Sequence, residues 1–213
     1  ALPISAGVTF TDAREDALRR DFTINGLFLD PLTGTVHDYV DGRADLAAGI
    51  VRAIGNPALR FGEDHLRMLR AVRFAAVFNF ALDEQTHAAI VRMTHLVTSV
   101  SPERIAAELR GMVTRPGRRR ALELLAQTGL AREVLPEVAP MDGSTDRQAA
   151  WHDAARVIDA LDEPELASAL AILTAQMPPD VPRHIAARLR LSTKESKTAC
   201  WLHRSEEHTS ELQ

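Results

Sequence analysis

Residues Phe61–Ala75 read FGEDHLRMLRAVRFA, a stretch that combines two acids with an evenly spaced row of arginines. Leucine, valine and phenylalanine fill the positions between the charges, at the spacing of an amphipathic helix. Because each helical residue turns by about 100°, the charged residues share roughly a third of the helix circumference. Guanidinium groups this close repel one another unless anions lie among them. The stretch therefore predicts a helix whose polar side faces anions and carries Asp64, Arg67, Arg70 and Arg73.

Either a bound nucleotide or acidic side chains of the protein could lie against this row. Asp64 and Arg67 together present carboxylate acceptors and a guanidinium donor fork, which can match the Watson–Crick edge of a nucleobase. The next two arginines along the row suit the phosphates of the same nucleotide, and Glu63 is placed to support Arg67. The alternative is a structural ion-pair network with the acids of residues 121–180.

A second group of polar residues precedes the strand-like segment 22–30, FTINGLFLD. The planar forks of Arg19 and Arg20 suit phosphate or carboxylate, and Asp21 is placed to orient Arg20. Asn25 offers both a donor and an acceptor, which suits a ribose hydroxyl. The alternative is a structural ion pair at the entrance of a strand.

The bulk properties are those of an ordinary globular chain, with 213 residues of which 46% are hydrophobic and 25% charged. No apolar run approaches the roughly 18 residues of a membrane helix. The single cysteine excludes a disulfide within the chain and favours a reducing, cytoplasmic setting. Strand patterns occur only in the first fifty or so residues, and the pattern is helical over residues 58–203. The expected fold is mainly α.

The formal net charge of −4 is unevenly distributed. Residues 101–120 carry six arginines against two acids, and residues 183–204 carry six basic residues against one acid. Such patches are either solvated helix surface or contacts to RNA phosphates. The RNA-contact interpretation falls first on Arg115, Arg118, Arg119 and Arg120.

Both ends of the chain suggest a piece of a longer protein. Two strand-like segments near the N-terminus lack preceding partners, which predicts the last part of an α/β domain. Residues 204–213, RSEEHTSELQ, back-translate in one frame onto a sequence that resembles a common sequencing-library adapter. We therefore expect 204–213 to be foreign to the natural protein and exclude it from the predicted fold.

Five motifs in order resemble the class II tRNA nucleotidyltransferase/poly(A) polymerase family, in its bacterial CCA-adding branch. RRDFTING is similar to the family's RRDFTINA, with glycine in place of alanine, and DPLTGTVHDYVDGRADL resembles its connecting segment. RAIGNP leads into EDHLRMLRAVRFA, which resembles EDxLRxLRAxRFA, and SPERIAAEL resembles the next helix. These motifs are Arg19–Gly26, Asp30–Leu46, Arg52–Pro57, Glu63–Ala75 and Ser101–Leu109.

The resemblance implies a reaction in which the 3′-hydroxyl of a tRNA attacks the α-phosphate of CTP or ATP and pyrophosphate leaves. It implies that protein side chains, with no nucleic-acid template, choose the base. It assigns nucleotide binding to Arg20, Asp64, Arg67, Arg70 and Arg73, with support from Arg19, Asp21, Asn25 and Glu63.

The resemblance also implies Mg²⁺ ions, which in the family are held by an Asp-x-Asp pair in a segment that precedes the region matched here. No two aspartates of this sequence are separated by one residue. We therefore expect no catalytic or metal-binding residue within these 213 residues, and no catalysis by them alone.

The expected architecture is the C-terminal remnant of an α/β nucleotidyltransferase head, residues 1–50, followed by helical parts. These are a neck with the nucleotide-recognition helix, residues 51–115, and a tRNA-binding body, residues 116–203. Poly(A) polymerase, CC-adding and A-adding activities of the same family remain open from these motifs. An alternative of another class is a helical RNA-binding module without catalysis.

Overall fold

The computed structural model describes residues 12–141 and 143–210, which form a mainly helical chain with two small two-stranded sheets. The predicted fold class, a head remnant followed by helices, is confirmed. The strands are β1 (Leu27–Leu29), β2 (Val36–Asp38), β3 (Ile50–Val51) and β4 (Ala81–Leu82). The helices are α1 (Ala13–Arg19), α2 (Gly42–Ala48), α3 (Pro57–Glu63), α4 (Leu66–Val77), α5 (Glu84–Met93), α6 (Pro102–Val113), α7 (Arg118–Gln127), α8 (Leu130–Val134), α9 (Thr145–Ala160), α10 (Leu166–Leu173), α11 (Val181–Arg188) and α12 (Thr193–Ser210).

The head remnant consists of α1, a β-hairpin and α2. Strands β1 and β2 pair antiparallel, with Leu27 opposite Asp38. The Asp38 carboxylate accepts hydrogen bonds from the backbone N–H groups of Val40, Gly42 and Arg43 at 2.9–3.1 Å, so the hairpin end also fixes the start of α2. Strand β3 then pairs in parallel with β4, which follows α4.

The strand predicted over residues 22–30 is shorter than expected. Only Leu27–Leu29 is extended in the hairpin, and Thr23–Asn25 forms a 3₁₀ turn instead. The Asp21 carboxylate accepts from the N–H of the following residue at 3.0 Å and from the Asn25 side chain at 2.8 Å. These side-chain bonds compete with a strand ladder and hold the turn.

The helix predicted over 61–75 is broken at Asp64. Helix α3 ends at Glu63 and α4 begins at Leu66, while Asp64 is extended with φ −153°. Its carboxylate accepts from the N–H of Leu66 at 3.1 Å, and its carbonyl accepts from the N–H of Arg67 at 3.1 Å. The prediction of one continuous row was wrong in this respect, because Asp64 initiates α4 rather than lying along it.

Helix α4 is the central packing element, in contact with both α6 and α7. Its apolar side is buried throughout. In the body, the Trp151 indole N–H donates to the Leu122 carbonyl at 3.1 Å and joins α9 to α7. The fully buried residues of α4 are Met68, Leu69, Ala71, Val72 and Ala75.

The last helix, α12, begins at a side-chain cap. The Ser192 hydroxyl accepts from the N–H of Glu195 at 3.2 Å, and the Glu195 carboxylate accepts from the N–H of Ser192 at 3.1 Å, which is a capping box. Helix α12 continues to Ser210 and so includes much of the segment 204–213 that was excluded from the predicted fold. Across the part of the chain that the structure describes, no helix has both the length and the apolar character to cross a bilayer.

Gly117 provides a test of the packing between α4 and α7. Its φ is +82°, and a Cβ there would lie 2.2 Å from the Ala76 carbonyl oxygen. We expect Gly117→Ala to lower the free energy of unfolding by at least about 2 kcal/mol, through backbone strain and this clash. Urea denaturation followed by circular dichroism measures it.

Gly62→Ala is the matched control, because Gly62 lies in α3 and a Cβ there has no neighbour within 4 Å. We expect this change to be neutral or to stabilise the chain by up to about 1 kcal/mol. Equal stability of the two variants would contradict the packing described for Gly117.

Candidate functional site

An open cavity of about 490 Å³ lies between the end of α1, the start of α4 and the start of α6. Its lining includes five arginines and two aspartates, so it is strongly positive in charge. The sequence predicted most of these residues, and the fold brings them together from three separate segments. The lining residues are Arg19, Arg20, Asp21, Asn25, Asp64, Leu66, Arg67, Arg70, Phe74 and Arg104.

Asp64 lies at one wall of the cavity, where α3 gives way to α4. Its Oδ2 accepts a hydrogen bond from Arg104 of α6 at 2.7 Å. Partial burial alone would raise the pKa of the Asp64 carboxyl, but the bonds from Arg104 and the Leu66 amide, with the positive charges of Arg104 and Arg67, outweigh it and lower that pKa. Asp64 is therefore ionised at neutral pH and presents acceptors only.

Arg67 is held by three hydrogen bonds at the base of the same wall. It donates to the Glu63 carboxylate at 2.6 Å and to the carbonyls of Arg60 and Arg19 at 3.0 and 3.2 Å. Its five N–H groups are thus only partly used. The predicted support of Arg67 by Glu63 is present in the structure, and the hydrogen bond from Arg67 lowers the pKa of Glu63.

Arg60 is a supporting residue that the row pattern missed. It donates to the Glu63 carboxylate at 3.0 Å and to the Leu18 carbonyl at 2.7 Å. Glu63 therefore bridges Arg60 and Arg67, and both arginines hold the end of α1 against the α3–α4 junction. Arg60 lies one helical turn before Glu63, so i, i+3 pairing was the signal that could have identified it.

Arg70 connects α4 to the turn after α1. Its Nε donates to Asp21 at 2.7 Å, and the other Asp21 oxygen accepts from Asn25. The sequence predicted that Asp21 would orient Arg20, which was wrong. Arg20 pairs with Asp16 at 2.9 Å, because these two residues lie one helical turn apart at the end of α1.

Arg73 does not belong to the lining of the cavity. Its Nε donates to Glu108 of α6 at 2.6 Å, and the two side chains are only 13% and 10% exposed. Its guanidinium lies 4.4 Å from the centre of the Phe74 ring. The nucleotide-binding role of Arg73 thus stays a prediction, while its observed contacts are those of a structural pair between α4 and α6.

The arginine row does form a structural ion-pair network, as the alternative interpretation predicted, but with other acids than those predicted. The arginine row pairs with Glu63, Asp21 and Glu108 rather than with the acids of residues 121–180. The pairing partners come from three elements, and spacing along α4 alone does not identify them.

The basic cluster before and within α7 divides into two kinds of residue. Arg118 donates to the Leu161 carbonyl, and Arg120 donates to the Phe80 carbonyl at 2.8 Å, so both support the fold. Arg119 is exposed and pairs with Glu123 at 2.8 Å, and Arg115 is exposed. Within this cluster, the RNA-contact prediction is therefore compatible with the exposure of Arg115 and Arg119.

No metal centre is formed by the described residues. Across 12–141 and 143–210, no three His, Cys, Asp or Glu side chains converge to hold an ion. Asp21 and Asp64, the two carboxylates of the cavity, are each engaged by an arginine. These residues do not fit a Mg²⁺ site of the kind that the family resemblance implies.

Comparison with known proteins agrees with this geometry. Residues 5–52 match the family model described as "Poly A polymerase head domain". Residues 79–142 match the model described as "Probable RNA and SrmB-binding site of polymerase A". The two matched segments lie on either side of α3 and α4, and residues of α4 form part of the cavity lining.

The proteins of similar sequence include CCA-adding enzymes and poly(A) polymerases. The chain is 43% identical over 128 residues to a CCA-adding enzyme of Lactobacillus johnsonii, covering 60% of this chain and 32% of that protein. It is 48% identical over 99 residues to poly(A) polymerase I of Salmonella typhi, covering 46% of this chain and 21% of that protein. It thus matches about a third or less of the length of these curated relatives.

A solved structure shares most of the fold. The crystal structure of the Bacillus stearothermophilus CCA-adding enzyme in complex with CTP matches with a TM-score of 0.71 and 32% identity. The match covers 88% of this chain and 45% of that one. Over the matched residues, the chain therefore has the fold of that enzyme. The chain belongs to the tRNA nucleotidyltransferase/poly(A) polymerase family.

The contribution of the Arg73–Glu108 pair to the free energy of unfolding can be tested. Removing Arg73 leaves Glu108 buried with only Arg70, at 3.9 Å, as a cationic neighbour. We expect Arg73→Met to lower the free energy of unfolding by about 3 kcal/mol, and the double variant with Glu108→Leu to recover most of that loss. Urea denaturation of the single and double variants measures the difference.

Arg156→Met is the control, because Arg156 pairs with Asp153 on the exposed face of α9. It should change the free energy of unfolding by no more than about 0.5 kcal/mol. If the double variant were as unstable as Arg73→Met alone, the pair would not be the structural contact described.

Proposed function

We propose that these residues are the nucleotide-recognition part of a CCA-adding tRNA nucleotidyltransferase. The substrates are CTP, ATP and a tRNA that lacks its 3′ end. The observation that carries the proposal is the cavity in which an ionised Asp64 and a partly engaged Arg67 lie on one wall, with Arg70 beside them. Poly(A) polymerase of the same family is the nearest alternative, since one of the similar proteins carries that name.

Asp64 and Arg67 distinguish bases by hydrogen bonding. Cytosine and adenine both present an exocyclic amino group next to a ring nitrogen that accepts, whereas uracil and guanine present a carbonyl oxygen at the position of that amino group. The Asp64 carboxylate accepts from the amino group, and the N–H groups that Arg67 retains donate to the ring nitrogen. In uracil or guanine, the carbonyl oxygen would instead face the Asp64 carboxylate. Neither of these two acceptors would then have a hydrogen-bond donor.

Arg70 and Arg20 contact the rest of the nucleotide. Both guanidinium groups line the cavity, and both are partly exposed, at 33% and 46% of the side chain. Each holds one carboxylate and retains further N–H groups for phosphate oxygens. Asn25, fixed by Asp21, is positioned to hydrogen bond with the ribose.

The reaction itself needs groups that these residues do not supply. Mg²⁺ bound to carboxylates would supply Lewis-acid stabilisation of the phosphate charge. The described residues do not fit such a site, so we expect them not to transfer nucleotides on their own.

The test uses the complete gene product that contains these residues, with a tRNA lacking its last three nucleotides, each nucleoside triphosphate and Mg²⁺. We expect addition of C, C and A in that order and no further growth. A long adenosine tail would instead establish the poly(A) polymerase alternative. No transfer at all would contradict both catalytic functions and favour an RNA-binding module.

Variants of the same protein test the assigned roles. Asp64→Ala and Arg67→Ala should reduce the preference for CTP and ATP over UTP and GTP by about 10- to 100-fold, since a paired base contact contributes about 1–3 kcal/mol of discrimination. Arg119→Ala should mainly weaken tRNA binding and leave the base preference unchanged. Competition assays with mixed nucleotides measure the preference, and an unchanged preference in both cavity variants would contradict the assignment.

A further inference from the structure

Another concave surface lies between α11 and α12. It encloses about 300 Å³ and is lined by Arg183, Ser196, Lys197, Cys200, Trp201 and Arg204. We name the part formed by Arg183, Lys197 and Trp201 the Trp201 surface. Arg204 is left out of this definition because the sequence predicts that it belongs to the foreign segment.

Trp201 is exposed to an extent that core packing does not explain. Its side chain is 60% exposed, whereas Trp151, the other tryptophan of the chain, is 1% exposed. None of the ring-stacking and cation–π contacts of the described residues involves Trp201. Both faces of a large aromatic ring are therefore free of such partners within the described chain.

The cations beside Trp201 are also unpaired. Arg183 and Lys197 are exposed, and neither forms an ion pair or side-chain hydrogen bond with any described residue. Two acids near these cations have other partners: Glu195 pairs with Arg110 and caps α12, and Asp180 lies 3.5 Å from the His184 ring. This contrasts with the arginines of α4, each of which pairs with a carboxylate.

The geometry places stacking and charge together. Lys197 and Trp201 are four residues apart on α12 and so share one face of that helix. Arg183 lies in the first turn of α11, which packs along α12. A free aromatic ring that shares one concave surface with two unpaired cations matches the chemistry of a nucleobase that stacks while its flanking phosphates bind positive charge.

We infer that the Trp201 surface binds an unpaired nucleotide of an RNA, with the base stacked on Trp201 and the flanking phosphates on Arg183 and Lys197. The inference rests on the proposed function and deepens it, because it adds a contact for the RNA substrate that shares no residue with the arginine-lined cavity. It concerns binding without chemistry, and it involves neither a nucleotide triphosphate nor a metal ion. It also lies outside residues 79–142, the segment that matches an RNA-binding family model.

The experiment measures binding of a labelled single-stranded RNA to the full 213-residue chain by fluorescence anisotropy, without nucleotide or Mg²⁺. We expect Trp201→Ala to weaken binding by about tenfold, the loss typical of one base–aromatic stack. Arg183→Ala and Lys197→Ala should each weaken binding and reduce the slope of log affinity against log salt by about 0.7. Bound RNA should also quench the fluorescence of Trp201.

Two comparisons make the result decisive. Arg156→Ala removes one exposed positive charge from α9, where it pairs with Asp153, and should leave the affinity and the salt slope unchanged. A blunt RNA duplex has no unpaired base, so Trp201→Ala should not weaken its binding. Circular dichroism checks that each variant is folded.

Two outcomes would overturn the inference. One is single-stranded RNA binding that does not change in Trp201→Ala or that falls equally in Arg156→Ala. The other is concentration-dependent self-association that Trp201→Ala abolishes, since the surface would then join two copies of the chain. The RNA-binding assay contains no nucleoside triphosphate, so a negative result in it does not bear on base choice by the cavity. A failure of nucleotide transfer likewise does not change the result of the RNA-binding assay.

Discussion

The structure depends on the neutralisation of the arginine row of α4 by carboxylates from other elements. Glu63 of α3, Asp21 before the 3₁₀ turn and Glu108 of α6 each take one arginine of the row. Each pair joins two segments, so charge compensation also determines how the head remnant, α3 and α6 are arranged around α4. The cavity opens to solvent beside this network, and its lining contains five arginines and two aspartates.

The break at Asp64 gives its carboxylate a partner outside the arginine row. In a continuous helix, Asp64 would point along the same side as the arginines and could be neutralised by Arg67 alone. The break turns its carboxylate towards Arg104 of α6, and the resulting bonds keep it ionised. An acceptor-only group is thereby fixed next to a donor-only group, which is the minimum needed to distinguish an amino group from a carbonyl.

The sequence predicted the fold class, most of the helices and the residues of the cavity because those features depend on local pattern and on motifs. The start of α12 at Ser192 follows from a capping box that spans four residues. The errors arose where distant contacts decide the structure. Arg104 was not among the predicted site residues, because its partner Asp64 is forty positions away, and Asp21 was predicted to orient Arg20 although it pairs with Arg70, 49 positions away.

The central claim is that protein side chains of α4 and its preceding junction choose the base. The most direct measurement is an NMR titration of this chain with CTP, ATP, UTP, GTP and tripolyphosphate, following the Nε–H signals of Arg67 and Arg70. We expect all five ligands to shift the Arg70 signal, and only CTP and ATP to shift that of Arg67. Equal shifts of the Arg67 signal with all four nucleotides, or with tripolyphosphate, would show that the cavity binds phosphate without reading the base.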